Sequence, residues 1–327
     1  MLTTIRIFFV SILLSSLVNE YSRADDGMEK SLFDQKKITV VITDSGLGGL
    51  SVLDDISKKL AGSGYYKKVD LIFVNALFNA DFGYNALASR EAKIDTLNTV
   101  LYGIEKKFHP DIILIGCNTL SVFFTETEFV KESNTPVTGI VNSGVGLISD
   151  HLSQNENSSV IITGTKTTIS EDSHRKALLA KGYSEDRIIT KACPELQSYI
   201  EQDPDGESTE MLISIYMEEA LAELPENTAS LFLSLNCSHF AYSEELWRQT
   251  FNHAGVDLEK ILNPNTIMGD FLMPEKNRGR FRKTKITHSV YSRVLINNVR
   301  TMHSVFKDNS PNVAKALNNY IIDRDLF

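Results

Sequence analysis

Apolar runs rich in β-branched residues alternate with longer amphipathic stretches along most of this 327-residue chain. The runs lie at 38–43, 69–74, 111–115, 137–141, 160–163, 187–190 and 231–235, and the amphipathic stretches include 49–60, 89–108 and 210–224. Buried strands separated by helical periodicity predict an α/β fold with mainly parallel sheets. In such folds ligands bind beyond the carboxyl ends of the strands, so chemistry is expected in the residues that follow each run.

A shift of 120 residues superimposes two strand ends on two others, as in an internal repeat. VITDS at 41–45 falls on IITGT at 161–165, and IGCN at 115–118 falls on LNCS at 235–238. We interpret this as two pseudo-symmetric lobes, each a mainly parallel sheet flanked by helices, with the active site in the cleft between them. Residues 38–137 plus about 255–327 form lobe one, and residues 138–254 form lobe two.

The repeat gives each lobe one cysteine at an equivalent strand end, Cys117 and Cys237. A thiolate can take a proton from a carbon while an opposed thiol delivers one to the other face, which inverts that carbon. A free thiol ionises near ~8.5, so a thiolate at neutral pH needs help, which Asp44 and His239 are placed to give. Cys193 lies outside the repeat and is predicted to be a small buried core residue.

Charge and cysteine content exclude several classes of protein. Asp plus Glu number 42 against 33 Lys plus Arg, a formal charge of -9, which argues against a nucleic-acid partner. Three cysteines cannot form a disulfide framework. The other histidines lack the spacing of metal ligands, and no lysine context suggests pyridoxal phosphate, so we expect neither a metal nor a cofactor.

Residues 1–24 have the pattern of a signal peptide. Arg6 precedes an apolar stretch at 7–18, and Ser22-Arg23-Ala24 provides small residues at positions -3 and -1 of a cleavage site. The stretch is short for a membrane span and no cysteine follows it, so we expect no stable membrane anchor. The protein is therefore expected to be periplasmic or secreted, as a monomer or a homodimer.

Five segments of the chain form a set of motifs. They are ITDSGLGGLSVL at 42–53, GCNT at 116–119, GTKTTIS at 164–170, ACPEL at 192–196 with Glu201 beyond it, and NCSHF at 236–240. Together they resemble the motifs of glutamate racemases, of the aspartate/glutamate racemase superfamily. They occur in the family order within about residues 38–242, and the resemblance beyond Trp247 is weak.

The resemblance implies a cofactor-independent racemase of an acidic amino acid, glutamate or aspartate. It implies that Cys117 and Cys237 are the acid–base thiols, that Asp44 supports Cys117, and that His239, helped by Glu201, supports Cys237. It further implies two sets of substrate-binding residues: Ser45, Asn118, Thr119, Thr165, Thr168 and Ser238 for the polar groups, and Asp81, Phe82 and Gly83 for a carboxylate.

Some residues depart from the family pattern. Asp81 replaces the proline of the family's Pro-Tyr-Gly, and its negative charge disfavours a dianionic substrate unless the side chain faces away. Asn236 replaces a glycine, and His174 stands where relatives often carry tyrosine. Both thiols match the family, so the departures bear on the substrate rather than on the reaction type.

Other functions remain open from the sequence. An exported two-lobed protein could bind a small ligand without turnover, but such a binder needs neither thiol. A racemase of broader specificity, or a decarboxylase or isomerase of the same superfamily, is a further alternative. The glycine-rich loop at 46–49 also resembles a dinucleotide-binding loop, although Ser51 occupies the position of the third glycine. That loop could instead offer N–H groups to a substrate carboxylate.

Overall fold

The computed structural model describes residues 32–79 and 83–327; the predicted signal peptide, Asp81 and Phe82 lie outside these ranges. The strands within them are β1 (Lys37–Asp44), β2 (Lys68–Asn75), β3 (Ile112–Ile115), β4 (Val137–Gly139), β5 (Ser158–Gly164), β6 (Ile188–Ala192), β7 (Ser230–Asn236), β8 (Leu258–Leu262), β9 (Lys285–Ser292) and β10 (Ile321–Ile322). The α-helices are α1 (Leu50–Leu60), α2 (Arg90–Phe108), α3 (Asn118–Ser121), α4 (Glu128–Glu132), α5 (Ile140–Leu152), α6 (Lys166–Glu171), α7 (Ser173–Ala180), α8 (Leu196–Gln202), α9 (Glu207–Leu221), α10 (Glu244–His253), α11 (Val299–Phe306) and α12 (Pro311–Asn318).

The described strands form two parallel sheets, one in each lobe. The sheet of lobe one has the order β10-β9-β2-β1-β3-β4, and the sheet of lobe two has the order β6-β5-β7-β8. The order β2-β1-β3-β4 therefore recurs as β6-β5-β7-β8. β1 ends at Asp44 and β5 ends 120 residues later at Gly164. The two-lobed α/β fold predicted from the repeat is confirmed.

Two expected boundaries differ in the structure. The strand expected at 137–141 ends at Gly139, because Ile140 begins α5, whose buried face covers the sheet of lobe two. Lobe two continues past the boundary expected near 255, because β8 pairs with β7. β8, β9 and β10 were not predicted from the sequence. β8 is an edge strand with two exposed charged residues, and polar residues interrupt β9, so neither has the continuous apolar run of a central strand.

The strands are apolar on both faces because helices cover both sides of each sheet. In β1, Val40 and Ile42 pack into one apolar cluster and Val41 into another on the opposite face. α1 buries Ile56 and Leu60 at helical spacing, which contributes about 1.5–3 kcal/mol for each side chain relative to exposure. Within the described ranges, no helix has the length and apolar character required to cross a bilayer.

Candidate active site

The carboxyl ends of the parallel strands meet a cleft of about 790 Å³ between the two lobes. The cleft is lined by predicted site residues from both lobes: Asp44, Ser45, Gly83, Cys117, Asn118, Thr119, Thr165, Glu201, Cys237, Ser238 and His239. Thr168 supports this wall of the cleft through a hydrogen bond between its hydroxyl and that of Thr165. Asp81 and Phe82 lie outside the described residues. The described ranges contain no group of three or more His, Cys, Asp and Glu side chains able to hold a metal ion.

Cys117 lies between β3 and α3 and is 5% exposed. Ser45 Oγ lies 3.1 Å from its sulfur. Burial raises the pKa of the Cys117 thiol, and the negative charge of Asp44 raises it further. Cys117 is therefore protonated in the empty cleft, which is the form that can donate a proton.

Cys237 follows β7, and its sulfur lies 4.0 Å from Nδ1 of His239. The other ring nitrogen, Nε2, donates a hydrogen bond of 2.7 Å to Glu201 Oε2. Burial acts to lower the pKa of His239, but Cys237 and Glu201 outweigh burial and raise it well above 6.5. Burial acts to raise the pKa of Glu201, but His239 outweighs it and lowers that pKa. The imidazole is therefore a cation that lies between the carboxylate of Glu201 and the sulfur of Cys237.

Asp44 bonds to lobe two rather than to Cys117, the residue that the resemblance assigns it to support. Its Oδ2 accepts a hydrogen bond of 2.6 Å from Ser238 Oγ, and its Oδ1 accepts one of 3.1 Å from Gly46 N. Burial raises the pKa of Asp44 even though these bonds and His239 act to lower it. The turn that carries Cys237 packs against the end of β1, which explains why Asp44 bonds to Ser238.

The first N–H groups of the glycine-rich loop serve carboxylates of the protein itself. Gly46 N donates to Asp44, and Leu47 N donates to Glu201 Oε2 at 3.4 Å. The expectation that this loop offers its N–H groups to a substrate carboxylate is therefore wrong for these two groups. The loop instead orients the two acidic side chains of the site.

Position 48 of the same loop has to be glycine, because lobe two packs closely against it. A Cβ on Gly48 would lie 2.2 Å from Ser238 Oγ, well inside van der Waals contact. Tyr242, also from lobe two, donates its hydroxyl to the carbonyl oxygens of Leu47 and Gly48 at 3.0 and 3.1 Å. The loop is thus part of the contact between the lobes.

A cluster of threonine hydroxyls joins the lobes on another wall of the cleft. Thr119 Oγ1 of lobe one lies 2.8 Å from Thr165 Oγ1 and 3.4 Å from Thr168 Oγ1 of lobe two. Thr165 Oγ1 also accepts from Thr168 N, which caps the start of α6. In contrast, both side-chain polar atoms of Asn118 are buried and have no partner within the described structure. Polar atoms left unpaired in a cleft indicate that a ligand completes them.

Several cleft residues outside the five motifs were not assigned from the sequence. Residues 295–298 follow β9 and line the cleft, as do Asn75 and Tyr84. Asn298 Nδ2 donates to Glu201 Oε1 at 3.4 Å. The available signal was the β-branched and aromatic content of 285–292, followed a few residues later by Asn297 and Asn298.

Comparison with protein-family models gives no match. The chain is 28% identical over 200 residues to glutamate racemase from Aquifex pyrophilus, an alignment that covers 61% of this chain and 70% of that protein. It is 30% identical over 200 residues to glutamate racemase from Lactobacillus johnsonii, covering 61% of this chain and 67% of that protein. The chain belongs to the glutamate racemase family. Membership of the glutamate racemase family makes it an isomerase that racemises an amino acid.

Solved glutamate racemases share the fold. The enzyme from Campylobacter jejuni superimposes with a TM-score of 0.62 at 21% identity, covering 86% of this chain and 98% of that one. The enzyme from Francisella tularensis, solved with D-glutamate, gives 0.61 at 17% identity, covering 88% and 95%. At these identities the likeness concerns the fold alone. The roles of individual residues follow from the geometry of this cleft.

Proposed function

We propose that this protein interconverts L- and D-glutamate by proton transfer at the α-carbon, without a cofactor. The observation that carries the proposal is that Cys117 and Cys237 follow equivalent strands of the two lobes and line one cleft. A carbon held between two thiols can lose its proton to one sulfur and receive a proton from the other on the opposite face. A ligand-binding protein without turnover would need neither thiol.

The different surroundings of the thiols give them opposite starting roles. Burial keeps the proton on Cys117, whereas the sulfur of Cys237 lies 4.0 Å from a nitrogen of the His239 cation. In one direction the Cys237 thiolate takes the α-proton as the C–H bond breaks, and the Cys117 S–H proton goes to the other face of the carbon. The enzyme is then left as a Cys117 thiolate and a Cys237 thiol, which is the form that acts on the opposite enantiomer.

The polar groups of the substrate form hydrogen bonds with residues that line the cleft, mainly on the side of lobe one. The unpaired amide of Asn118 offers both a donor and an acceptor, which suits a carboxylate and an ammonium. Ser45 and the threonine hydroxyls supply further hydrogen bonds. Aspartate, one methylene shorter, is the alternative substrate that the family resemblance leaves open, and the charge of Asp81 does not separate the two because both carry two carboxylates.

Exchange of the α-proton in heavy water tests this function. The mature protein, kept reduced and without added metal or pyridoxal phosphate, should exchange and racemise L- and D-glutamate faster than the other amino acids of a panel that includes aspartate. Faster turnover of aspartate would change the substrate assignment but not the reaction. Absence of exchange with every amino acid would contradict the proposed function.

Substitution of each thiol tests the two-base arrangement. Cys117→Ser and Cys237→Ser should each abolish net racemisation, because a serine hydroxyl is far too weak an acid or base to replace a thiol. Each variant should still eliminate the leaving group from one enantiomer of a β-substituted analogue, and the two variants should prefer opposite enantiomers. Cys193→Ala, in the core of lobe two, is the control that keeps racemisation. The same preference in both serine variants would contradict the arrangement.

We also propose that the protein is exported and acts on an extracellular amino acid, with the signal-peptide pattern at 1–24 as the support. Sequencing the first residue of the protein recovered from its own cells tests cleavage after Ala24. Association into a homodimer stays a prediction that light scattering would test.

A further inference from the structure

Tyr84 lines the cleft from the wall of lobe one, and its hydroxyl is buried. The residue begins a short 3₁₀ helix, Tyr84–Ala86, and is 1% exposed. Its ring packs edge-on against Phe78, with the centroids 5.3 Å apart, inside an apolar cluster that also contains Leu97 and Cys117. The packing holds the ring in place, so the position of the hydroxyl is determined by the fold.

The hydroxyl of Tyr84 has no hydrogen-bond partner in the described structure. Tyr66 is equally buried in lobe one, but its hydroxyl donates to the carbonyl oxygen of Leu272 at 2.9 Å. A buried hydroxyl without a partner lowers stability, so phenylalanine would be the better residue at position 84 if the side chain served packing alone. The unpaired group indicates a partner that arrives with the ligand.

The neighbours of Tyr84 in the cleft identify the kind of partner. Tyr84 lines the cleft together with Asn75, Cys117 and Asn118. Burial, with a smaller effect from the charge of Cys117, raises the pKa of Tyr84, so the phenol stays protonated at every pH at which the enzyme would work. The Tyr84 hydroxyl is therefore a neutral hydrogen-bond donor, close enough to Cys117 to respond to its charge. Asn118 Nδ2 is a second donor on the same wall without a partner in the described structure.

We propose that the Tyr84 hydroxyl donates a hydrogen bond to a carboxylate oxygen of the bound amino acid and so helps to determine substrate specificity. This inference rests on the proposed function. Anionic oxygens form stronger hydrogen bonds with such donors than neutral acceptors do, and the ammonium group of the substrate cannot accept one. Glutamate has two carboxylates, and the experiment separates them.

Tyr84→Phe and Tyr66→Phe form a matched pair for the test, because each removes one hydroxyl from a buried ring in lobe one. Tyr84→Phe should raise the KM for glutamate by roughly 10-fold or more and change kcat much less, because it removes a bond to a charged group. The Tm of the empty protein should stay level or rise. Tyr66→Phe should do the reverse, lowering Tm while the KM stays that of the wild type.

Glutamine, used as a substrate or a competitive inhibitor, identifies the carboxylate that Tyr84 binds. Equal weakening of glutamate and glutamine by Tyr84→Phe would assign the bond to the α-carboxylate, and weakening of glutamate alone would assign it to the side chain. Either result supports the inference.

Three results would overturn the inference. An unchanged KM in Tyr84→Phe beside an active wild type would refute the inference and leave the proposed function intact. An unchanged KM with a lower kcat would assign the hydroxyl to the Cys117 thiolate instead of the substrate. A wild type that exchanges no α-proton would refute the proposed function together with this inference.

Discussion

His239 is the residue through which the charges of the site are coupled. It donates to Glu201 and lies beside Cys237, and its pKa is raised well above 6.5 by these two groups. Cys117 instead lies near the negative charge of Asp44, which adds to the effect of burial on its pKa. The two thiols therefore differ electrostatically even though the strands that carry them are equivalent, so kcat and KM can each respond unequally to mutation in the two directions while their ratio changes equally in both.

Glu201→Gln tests the coupling. Loss of the carboxylate removes part of what raises the pKa of His239, so the alkaline limb of kcat/KM should move to lower pH. Turnover should fall by up to ~10²-fold, the lower end of what a positioned acid or base contributes. The measurement is a pH–rate profile in both directions, with Glu218→Gln on the exposed face of α9 as the control. A wild-type profile in Glu201→Gln would assign the carboxylate to structure alone.

The same pair makes stability depend on pH in a defined window. Because the pKa of Glu201 is lowered in the folded protein, the carboxylate adds stability at pH values above 4.5, its ordinary pKa. This stability is lost as the pH falls through the pKa of the folded state. Because the pKa of His239 is raised in the folded protein, the imidazole adds stability at pH values below 6.5, its ordinary pKa. This stability is lost as the pH rises through the pKa of the folded state. The contribution is fully present between these two values, so the difference in Tm between the wild type and Glu201→Gln should be largest there.

At the scale of elements, helix α5 packs on the end of β7 through a glycine. A Cβ on Gly144 would lie 2.9 Å from Asn236 Oδ1 and 3.2 Å from His174 Nε2, and both of these atoms are buried without partners in the described structure. Burial lowers the pKa of His174 to about 4, so the ring is neutral at physiological pH. Because Asn236 directly precedes Cys237, the packing of α5 bears on the position of a thiol.

Two glycines of α5 allow a paired test. A Cβ on Gly146 meets nothing within 4 Å, so Gly146→Ala should stabilise the protein by about 0.5–1 kcal/mol through helix propensity. Gly144→Ala should destabilise it by about 1–3 kcal/mol, because the methyl group has to displace Asn236 or His174. It should also lower kcat by moving Cys237. Urea denaturation and racemisation assays measure both effects, and equal behaviour of the two variants would mean that α5 can shift freely.

At the scale of the whole molecule, the contacts between the lobes include many polar ones around the cleft. Arg90 of α2 donates to Glu171 of α6, in the other lobe, at 3.1 Å, and to Glu126 of its own lobe at 2.7 Å. These side chains are partly exposed, so the ion pairs contribute at most about 1 kcal/mol each. The Arg90–Glu171 pair and the Asp44–Ser238 bond join the two lobes, whose relative position decides how far apart the thiols lie.

Mild oxidation tests whether the empty cleft can close. We expect Cys117 and Cys237 to form a disulfide when no substrate lies between them, with loss of activity, protection by substrate and recovery with a reductant. The predicted export would expose the enzyme to such conditions. Thiol counting and peptide mapping after treatment with diamide would identify the bond, and Cys193→Ala should still be inactivated because Cys193 is fully buried in lobe two. Two free thiols and full activity would show that the lobes do not approach so closely.

The lobes and the positions of both thiols were predictable from the sequence alone. Seven apolar runs led to seven of the strands, because central strands of a parallel sheet are buried on both faces and read as continuous apolar segments. The repeat at 120 residues put Cys117 and Cys237 at equivalent strand ends, and the strand orders of the two sheets match accordingly. These properties follow from local patterns, so they can be read without knowing how the lobes meet.

Only the tertiary structure decided which groups the site residues bind. Asp44 accepts from Ser238, a residue 194 positions away, and Tyr84 has no partner for its hydroxyl among the residues that the structure describes. Residues 295–298 reach the cleft because β9 pairs with β2, although their sequence lies outside the recognisable motifs. The physical reason is that these contacts join segments far apart in the chain. Their distances depend on how the two lobes pack against each other, which no local periodicity encodes.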